Sequence, residues 1–347
     1  MNTIKASIIG ASGYGGAETV RLLVSHPQVD IVHVTAETQQ GKAMSALYPN
    51  LRCFVDQAMI AADVERIGAG SDIVFVSLPS GKAMHLVPAL LEQGCKVIDI
   101  AADFRLHEAS LYPIWYKVTH VAPHYLTEAV YGLPELHCEA IRSTRLLANP
   151  GCYPAASILA IAPLMQAGVV NPKGIIIDAK SGISGAGRGG GGSFGYAEVN
   201  ENVQAYNVTG HNHTAEIEQE LSAIAKTPVQ IVFTPHLIPM TRGILATVYA
   251  PLTTALQEQD ALQLYKEMYA QAPFVRVLDD TLPQTKATLG SNYCDVAVKI
   301  NKRTNTAIAI AAIDNLGRGA AGQAVQNMNL MCGMPETTGL HFPAVFP

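Results

Sequence analysis

The chain has 347 residues, enough for two domains with cores of their own, and its 49% hydrophobic and 15% charged composition excludes a disordered protein. A net charge of −5 with no Lys/Arg cluster argues against nucleic acid as a partner. No apolar run reaches the roughly 18 residues of a membrane helix, and the opening MNTIKASIIGASGYGG lacks the regions of a signal peptide, so a cytoplasmic protein without membrane association is expected.

Residues 4–9 (IKASII) predict a strand that ends in Gly10-Ala11-Ser12-Gly13-Tyr14-Gly15-Gly16 and passes into the helical AETVRLLVSH. Strand, glycine turn and helix in this order make a phosphate cradle, because the glycines admit a pyrophosphate and the helix N-terminus faces it. Gly10, Ser12, Gly13, Tyr14 and Gly15 are therefore candidate cofactor contacts. A purely structural turn is the competing reading. A second strand at 30–36 (DIVHVTA), at βαβ spacing, favours the dinucleotide. Glu37 after that strand suits the ribose hydroxyls of NAD, whereas Lys42, the nearest base, suits the 2′-phosphate of NADP; alternatively Glu37 points to solvent.

Strands at 71–78 (SDIVFVSL) and 96–101 (KVIDIA) flank a helix at 85–94. The alternation predicts a doubly wound parallel sheet, with ligands at the carboxyl ends of its strands. Ser77 and Pro79 are further cofactor candidates there. Arg105 is a candidate clamp for an anionic substrate group, or else an ordinary surface ion pair. From 107 to 144 the chain is polar and proline-marked, contains the single tryptophan, Trp115, and reads as excursions at the edge of this domain.

The stretch 145–168, RLLANPGCYPAASILAIAPLMQAG, reads as a strand or loop, a tight turn, one cysteine and an apolar helix. Pro154 fits a first turn, where its missing N–H would have had no partner. Cys152 then falls at a helix N-terminus, which favours the thiolate, the nucleophilic form. A buried packing cysteine is the alternative. The six cysteines stand singly at 53, 95, 138, 152, 294 and 332 without a CxxC pair, so thiols in a reducing compartment are expected.

Residues 174–179 (GIIIDA) predict a strand leading into Lys180–Arg188 and the glycine run 189–192. Such a loop either moves over a site or lets backbone approach a ligand, unless it is a linker. His211 and His213 are expected just before a helix capped by Thr214 or a neighbour, with Glu216 in its first turn. A histidine near a cysteine nucleophile is a natural proton donor and acceptor, and Glu216 could orient it. The alternatives are capping or surface histidines, or a metal half-site. No second ligand cluster accompanies them, so no metal is expected.

Strands at 230–234, 245–250, 274–278, 294–300 and 306–313 predict an α+β half with a mainly antiparallel or mixed sheet. His236 and Arg242, in the loop between the first two, are candidate substrate contacts. The final helix (QAVQNMNLMCG) could return to the nucleotide domain and bring Asn315 near the cofactor. The expected division is a Rossmann-type dinucleotide-binding domain over 1–148, completed by 316–347, and a catalytic and dimerisation domain over 149–315.

Eight blocks carry a resemblance to one family: Gly10–Gly16, Ala102–Arg105, Gly132–Glu135, Asn149–Pro154, Ser181–Arg188, His211–Ile217, Pro235–Gly243 and Asp314–Gly322. Together, and in order nearly end to end, they resemble the N-acetyl-γ-glutamyl-phosphate reductases of arginine biosynthesis, which are related to the aspartate-semialdehyde dehydrogenases. Thr35-Ala36-Glu37-Thr38 departs from the more basic or serine-rich turn of many relatives, and Ala155 stands where threonine is usual. The resemblance implies NADP(H)-dependent reduction of an acyl phosphate with release of inorganic phosphate, through a Cys152 thioester. His213 would supply the proton, with His211 as the second choice. It also places Ser181 and Gly182 at the nicotinamide and gives Arg105 and Arg242 to anions. A homodimer or homotetramer is expected. The same chemistry on aspartyl phosphate, and a dinucleotide sensor without chemistry, are the other readings.

Overall fold

The computed structural model describes residues 3–189 and 194–346, so positions 190–192 of the glycine run lie outside the described residues. The chain forms two compact units, Met1–Pro150 with Ala320–His341, and Gly151–Gly319 with Phe342–Pro347.

The first unit holds six parallel strands: β1 (Ile4–Ile9), β2 (Val29–Val34), β3 (Ile73–Val76), β4 (Lys96–Asp99), β5 (Val130–Tyr131) and β6 (Leu146–Ala148). Their order is β2-β1-β3-β4-β6-β5. All four residues of β3 are buried, as a parallel strand covered on both faces requires. The helix Gly322–Met331 belongs to this unit and is buried along its whole length, although it carries four amide side chains. Each amide has a partner. Gln323 Nε2 and Asn327 Nδ2 both donate to the Gly132 carbonyl, at 2.6 and 2.8 Å. Gln326 Nε2 donates to Glu336, and Asn329 Nδ2 to the carbonyls of Glu336 and Thr338. A Cβ at Gly132 would stand 2.6 Å from Asn327 Nδ2, so glycine is needed for this approach.

The second unit holds β7 (Lys173–Ser181), β8 (Gln204–Ala205), β9 (Gln230–Leu237), β10 (Ile244–Pro251), β11 (Val275–Val277), β12 (Cys294–Asn301) and β13 (Thr306–Ile313). The order is β11-β12-β13-β10-β7-β9-β8. The sheet is mixed, because β7–β9 and β11–β12 pair in parallel and the others antiparallel. One face is fully buried, with Ile175, Ile177, Ala246, Val248, Ala307 and Ala309 alternating inward. The other face leaves Ile176, Val232 and Tyr249 exposed. β9 runs three residues past the expected end, since β7 pairs with it in parallel through Pro235, His236 and Leu237, and β8 adds Ala205 with His236 and Gln204 with Leu237 on the other edge. His236 is therefore in a strand, not in the expected loop.

The helix Cys152–Gln166 is buried from Tyr153 to Met165. Pro163 inside it has no N–H, which leaves the Leu159 carbonyl without its helical donor. The hydroxyl of Tyr269 donates to that carbonyl at 2.6 Å, and that of Tyr265 donates to Ala160. Tyr269→Phe is expected to cost about 1–3 kcal/mol by stranding a buried acceptor, read as a lower melting temperature with activity per folded molecule retained. An unchanged melting temperature would show that the carbonyl needs no donor.

Candidate active site

In the first unit, β1 delivers the chain to Gly10, whose φ of +87° favours glycine. A Cβ there would lie 2.1 Å from the Ser77 carbonyl, because the turn passes against the end of β3. A Cβ at Gly16 would lie 2.3 Å from the Gly10 carbonyl. The helix Tyr14–Leu23 has Gly13 as N-cap, with no side-chain cap and no acid in its first turn. Its leading N–H groups and positive dipole end thus fit a diphosphate, and the cradle fits a dinucleotide. Ser12 accepts at its carbonyl from the Tyr48 hydroxyl at 2.8 Å, and Tyr14 is exposed. Ser77 and Pro79 follow β3, and Ser77 Oγ would be 3.0 Å from a Cβ at Gly15. Asp103 fixes the loop beyond, accepting from the N–H of Gly81 at 2.6 Å and of Met84 at 3.0 Å. Glu37 is exposed, and Lys42 Nζ donates to Gln39 Oε1.

Arg105 is buried in the same unit. Its Nε donates to the Asn149 carbonyl at 2.7 Å and its Nη2 to that of Ile100 at 3.2 Å. Burial pushes the neighbouring Asp99 carboxyl above the usual carboxylate range, with repulsion from Asp103 adding to it and Arg105 opposing it. Asn149 is fully buried and pinned on every side. Its N–H donates to the Asp99 carbonyl, its Nδ2 to Ala320, and its Oδ1 accepts from Asn327. That residue, missed in the sequence, fixes the start of the turn leading to the cysteine.

In the second unit, Gly151 is the N-cap and Cys152 the first residue of its helix. Glu216 is fully buried, and its Oε1 accepts the Gly151 N–H at 2.6 Å. A Cβ at Gly151 would stand 2.5 Å from His213 Nε2. His213 and Glu216, three apart on one helix face, thus both meet the residue before the cysteine. Gly319 was also missed in the sequence. A Cβ there would be 2.7 Å from Cys152 Cβ, so glycine lets this strand of chain lie against the thiol's residue.

The helix begins at His213, not after it, and its N-cap Asn212 makes no side-chain bond. His211 does the capping in place of Thr214, since its Nδ1 accepts the His213 N–H at 3.1 Å. The ring of His211 is packed among Tyr153, Tyr206 and Phe233, and burial pushes its pKa down to about 4. An accepting Nδ1 and a low pKa agree: this imidazole is neutral, with its proton on Nε2. Tyr206 donates to the Tyr153 hydroxyl at 3.1 Å, which donates to the His236 carbonyl at 3.3 Å, and burial pushes both phenols up.

Ser181, Gly182, Arg242 and Asn315 gather in another loop cluster of this unit. The Gly182 N–H donates to the Gly243 carbonyl, Ser181 Oγ to that of Gly182, and Asn315 Oδ1 accepts the Gly243 N–H at 2.8 Å. His236 lies in β9 of the same unit. Strand alternation puts its side chain opposite Phe233 and Leu237, on the open sheet face, with Nδ1 3.1 Å from Asp178, which also pairs with Lys180. Among the described residues no three His, Cys, Asp or Glu side chains gather as a metal site.

Residues 5–144 match the family described as semialdehyde dehydrogenase, NAD binding domain, and residues 152–315 the family described as semialdehyde dehydrogenase, dimerisation domain. The chain is 54% identical over 340 residues to the N-acetyl-gamma-glutamyl-phosphate reductase of Symbiobacterium thermophilum, covering 97% of each. It is 48% identical to that of Desulforudis audaxviator, over 99% of this chain and all of the relative. The chain belongs to the N-acetyl-gamma-glutamyl-phosphate reductase family. The fold of this reductase family is shared with solved aspartate semialdehyde dehydrogenases. The enzyme II of Vibrio cholerae aligns with a TM-score of 0.73 at 19% identity, covering 96% of this chain and 99% of that one. The Candida albicans enzyme, solved with NADP, aligns at 0.72 and 16% identity over 95% and 99%. Reductase relatives align through the helix Gly322–Met331, which lies beyond both matched domains.

Proposed function

We propose that the chain reduces N-acetyl-γ-glutamyl phosphate to N-acetylglutamate 5-semialdehyde through a thioester on Cys152, using NADPH and releasing phosphate. The observation that carries this reading is the placement of Cys152 at an uncapped helix N-terminus, with His213 and Glu216 both on the preceding residue. The dipole there favours the thiolate. Sγ bonds to the γ-acyl carbon, the carbon–oxygen bond to phosphate breaks, and phosphate leaves with the electron pair and takes a proton from solvent. The N–H groups of Cys152 and Tyr153 suit the carbonyl oxygen as it gains charge. The Gly10–Gly15 turn and the Ser77–Pro79 segment would hold NADPH, which when bound would supply the hydride. His213 protonates the resulting oxyanion and takes the proton back as the carbon–sulfur bond breaks, which returns the thiolate and frees the aldehyde. Arg242 binds an anionic group of the substrate, and Arg105 supports the turn at Asn149.

The test is phosphate-dependent oxidation of N-acetylglutamate 5-semialdehyde, compared with aspartate semialdehyde and run with NADP+ and NAD+ in parallel. Turnover of the acetylated substrate with NADP+ is expected. Preference for aspartate semialdehyde overturns the substrate, and preference for NAD+ would assign Glu37 to the ribose hydroxyls. Cofactor binding without turnover of either aldehyde would favour the sensor reading. We further propose a cytoplasmic homodimer or homotetramer, built on the open sheet face with Ile176, Val232 and Tyr249. Sedimentation at low micromolar concentration decides, and a monomer excludes it.

A further inference from the structure

One buried acid of the second unit has no part in the chemistry above. Asp314 follows β13 and is fully buried. Its Oδ1 accepts from Arg242 Nε at 3.1 Å and Nη2 at 3.0 Å, and from the N–H of Leu316 and Gly317 at 2.8 and 2.9 Å. Its Oδ2 accepts the Gly290 N–H at 2.6 Å and lies 2.9 Å from Arg242 Nε. A buried carboxylate is tolerated only with such a set of donors. Arg242 itself keeps 21% of its side chain exposed. A guanidinium is a flat fork, so two bonds along one edge fix its plane as well as its position. The adjacent Asn315 holds the backbone of the same loop through Gly243 and reaches Ser184 Oγ at 3.0 Å. Side chain and backbone of the Arg242 loop are thus fixed by consecutive residues.

We propose that Asp314 is a positioning residue, which sets the plane in which the Arg242 guanidinium meets an anionic group of the acyl-phosphate substrate. The inference rests on the reading of Arg242 as the anion contact. A merely structural tie between loops predicts lost stability with unchanged substrate affinity.

The test compares Arg242→Ala, Arg242→Lys, Asp314→Asn and the double variant Arg242→Lys/Asp314→Asn in the oxidative direction, with KM for phosphate and for the semialdehyde measured separately. Arg242→Ala is expected to raise one of the two about 10- to 100-fold, and which one rises identifies the anion bound. Arg242→Lys keeps the charge but cannot form the two-bonded edge, so nearly the same rise is expected. Asp314→Asn is expected to shift the same KM, with cofactor affinity within about twofold, and the double variant to be no worse than Arg242→Lys. A wild-type KM in Arg242→Lys, or losses that multiply in the double variant, overturn the proposal. The lysine arm leaves the buried acid intact and holds even where Asp314→Asn does not fold. Unchanged KM values in Arg242→Ala overturn the anion-contact reading itself, and the proposal with it.

Discussion

Cys152→Ser is expected to lower phosphate-dependent NADP+ reduction by about 10³-fold or more, with cofactor affinity changed by no more than a few-fold. Serine fits the site, since its side chain is smaller and the helix start needs no side-chain cap from residue 152. What it lacks is an accessible anion. A helix dipole and leading N–H groups favour the thiolate over the thiol, whereas a hydroxyl stays protonated under the same field. The glycine cradle is built from other residues, Gly10, Gly13, Gly16 and Ser77, so dinucleotide binding has no reason to follow the loss of turnover. Mass spectrometry of the wild-type protein during turnover is expected to show an acyl adduct on Cys152 that the serine variant lacks. A serine variant with full activity, or a wild type without the adduct while aldehyde is made, would move the nucleophile elsewhere.

The elements that sequence exposes are those whose burial shows as an apolar run. β3 and β13 are such runs, and the cysteine helix announces itself by thirteen buried residues, Tyr153 to Met165, behind a Gly-Cys-Tyr-Pro turn. The glycine cradle is legible because only glycine tolerates the approach of Gly10 to Ser77 and of Gly16 to Gly10. Polar residues are harder to read, since their burial depends on partners far along the chain. Gln323 and Asn327 look like the solvent side of a helix, yet both donate to Gly132, more than 190 positions away. Asp314 reads as an ordinary loop acid until Arg242 and Gly290 converge on it. The placement of His236 in a strand is hidden for a different reason. β9 stays paired with β7 past Thr234 as far as Leu237, with β8 on its other edge, and the period of two then sends the ring to the open face. Nothing in the local pattern QIVFTPHL marks that extension.

The histidine pair gives the second large effect. His213→Asn is expected to lower kcat about 10²- to 10⁴-fold, the range of a lost general acid or base, while His211→Asn costs no more than about tenfold. The difference follows from what each ring does. His213 Nε2 faces Gly151, one residue from Cys152, where the proposed mechanism needs a proton carrier. His211 already uses Nδ1 as an acceptor for the His213 N–H, and burial pushes its pKa down to about 4, so the ring is neutral near pH 7. An asparagine at 211 offers a carbonyl oxygen to the same N–H, as residues at helix starts commonly do. The pH–rate profile separates the roles. One limb is expected to vanish in His213→Asn, and both to persist in His211→Asn. Stability gives an independent sign. Because folding lowers the His211 pKa below its ordinary value of 6.5, the unfolded chain binds the proton first as pH falls. The contribution of a neutral His211 is therefore complete above pH 6.5 and is lost towards pH 4, by up to about 1.4 kcal/mol per pH unit. Removing the ring in His211→Asn takes up to one proton off that slope, visible as a smaller shift of the urea midpoint between pH 7 and 5. If His211→Asn instead removes a limb of the rate profile and leaves the stability slope unchanged, the ring titrates during catalysis and the proton carrier is His211.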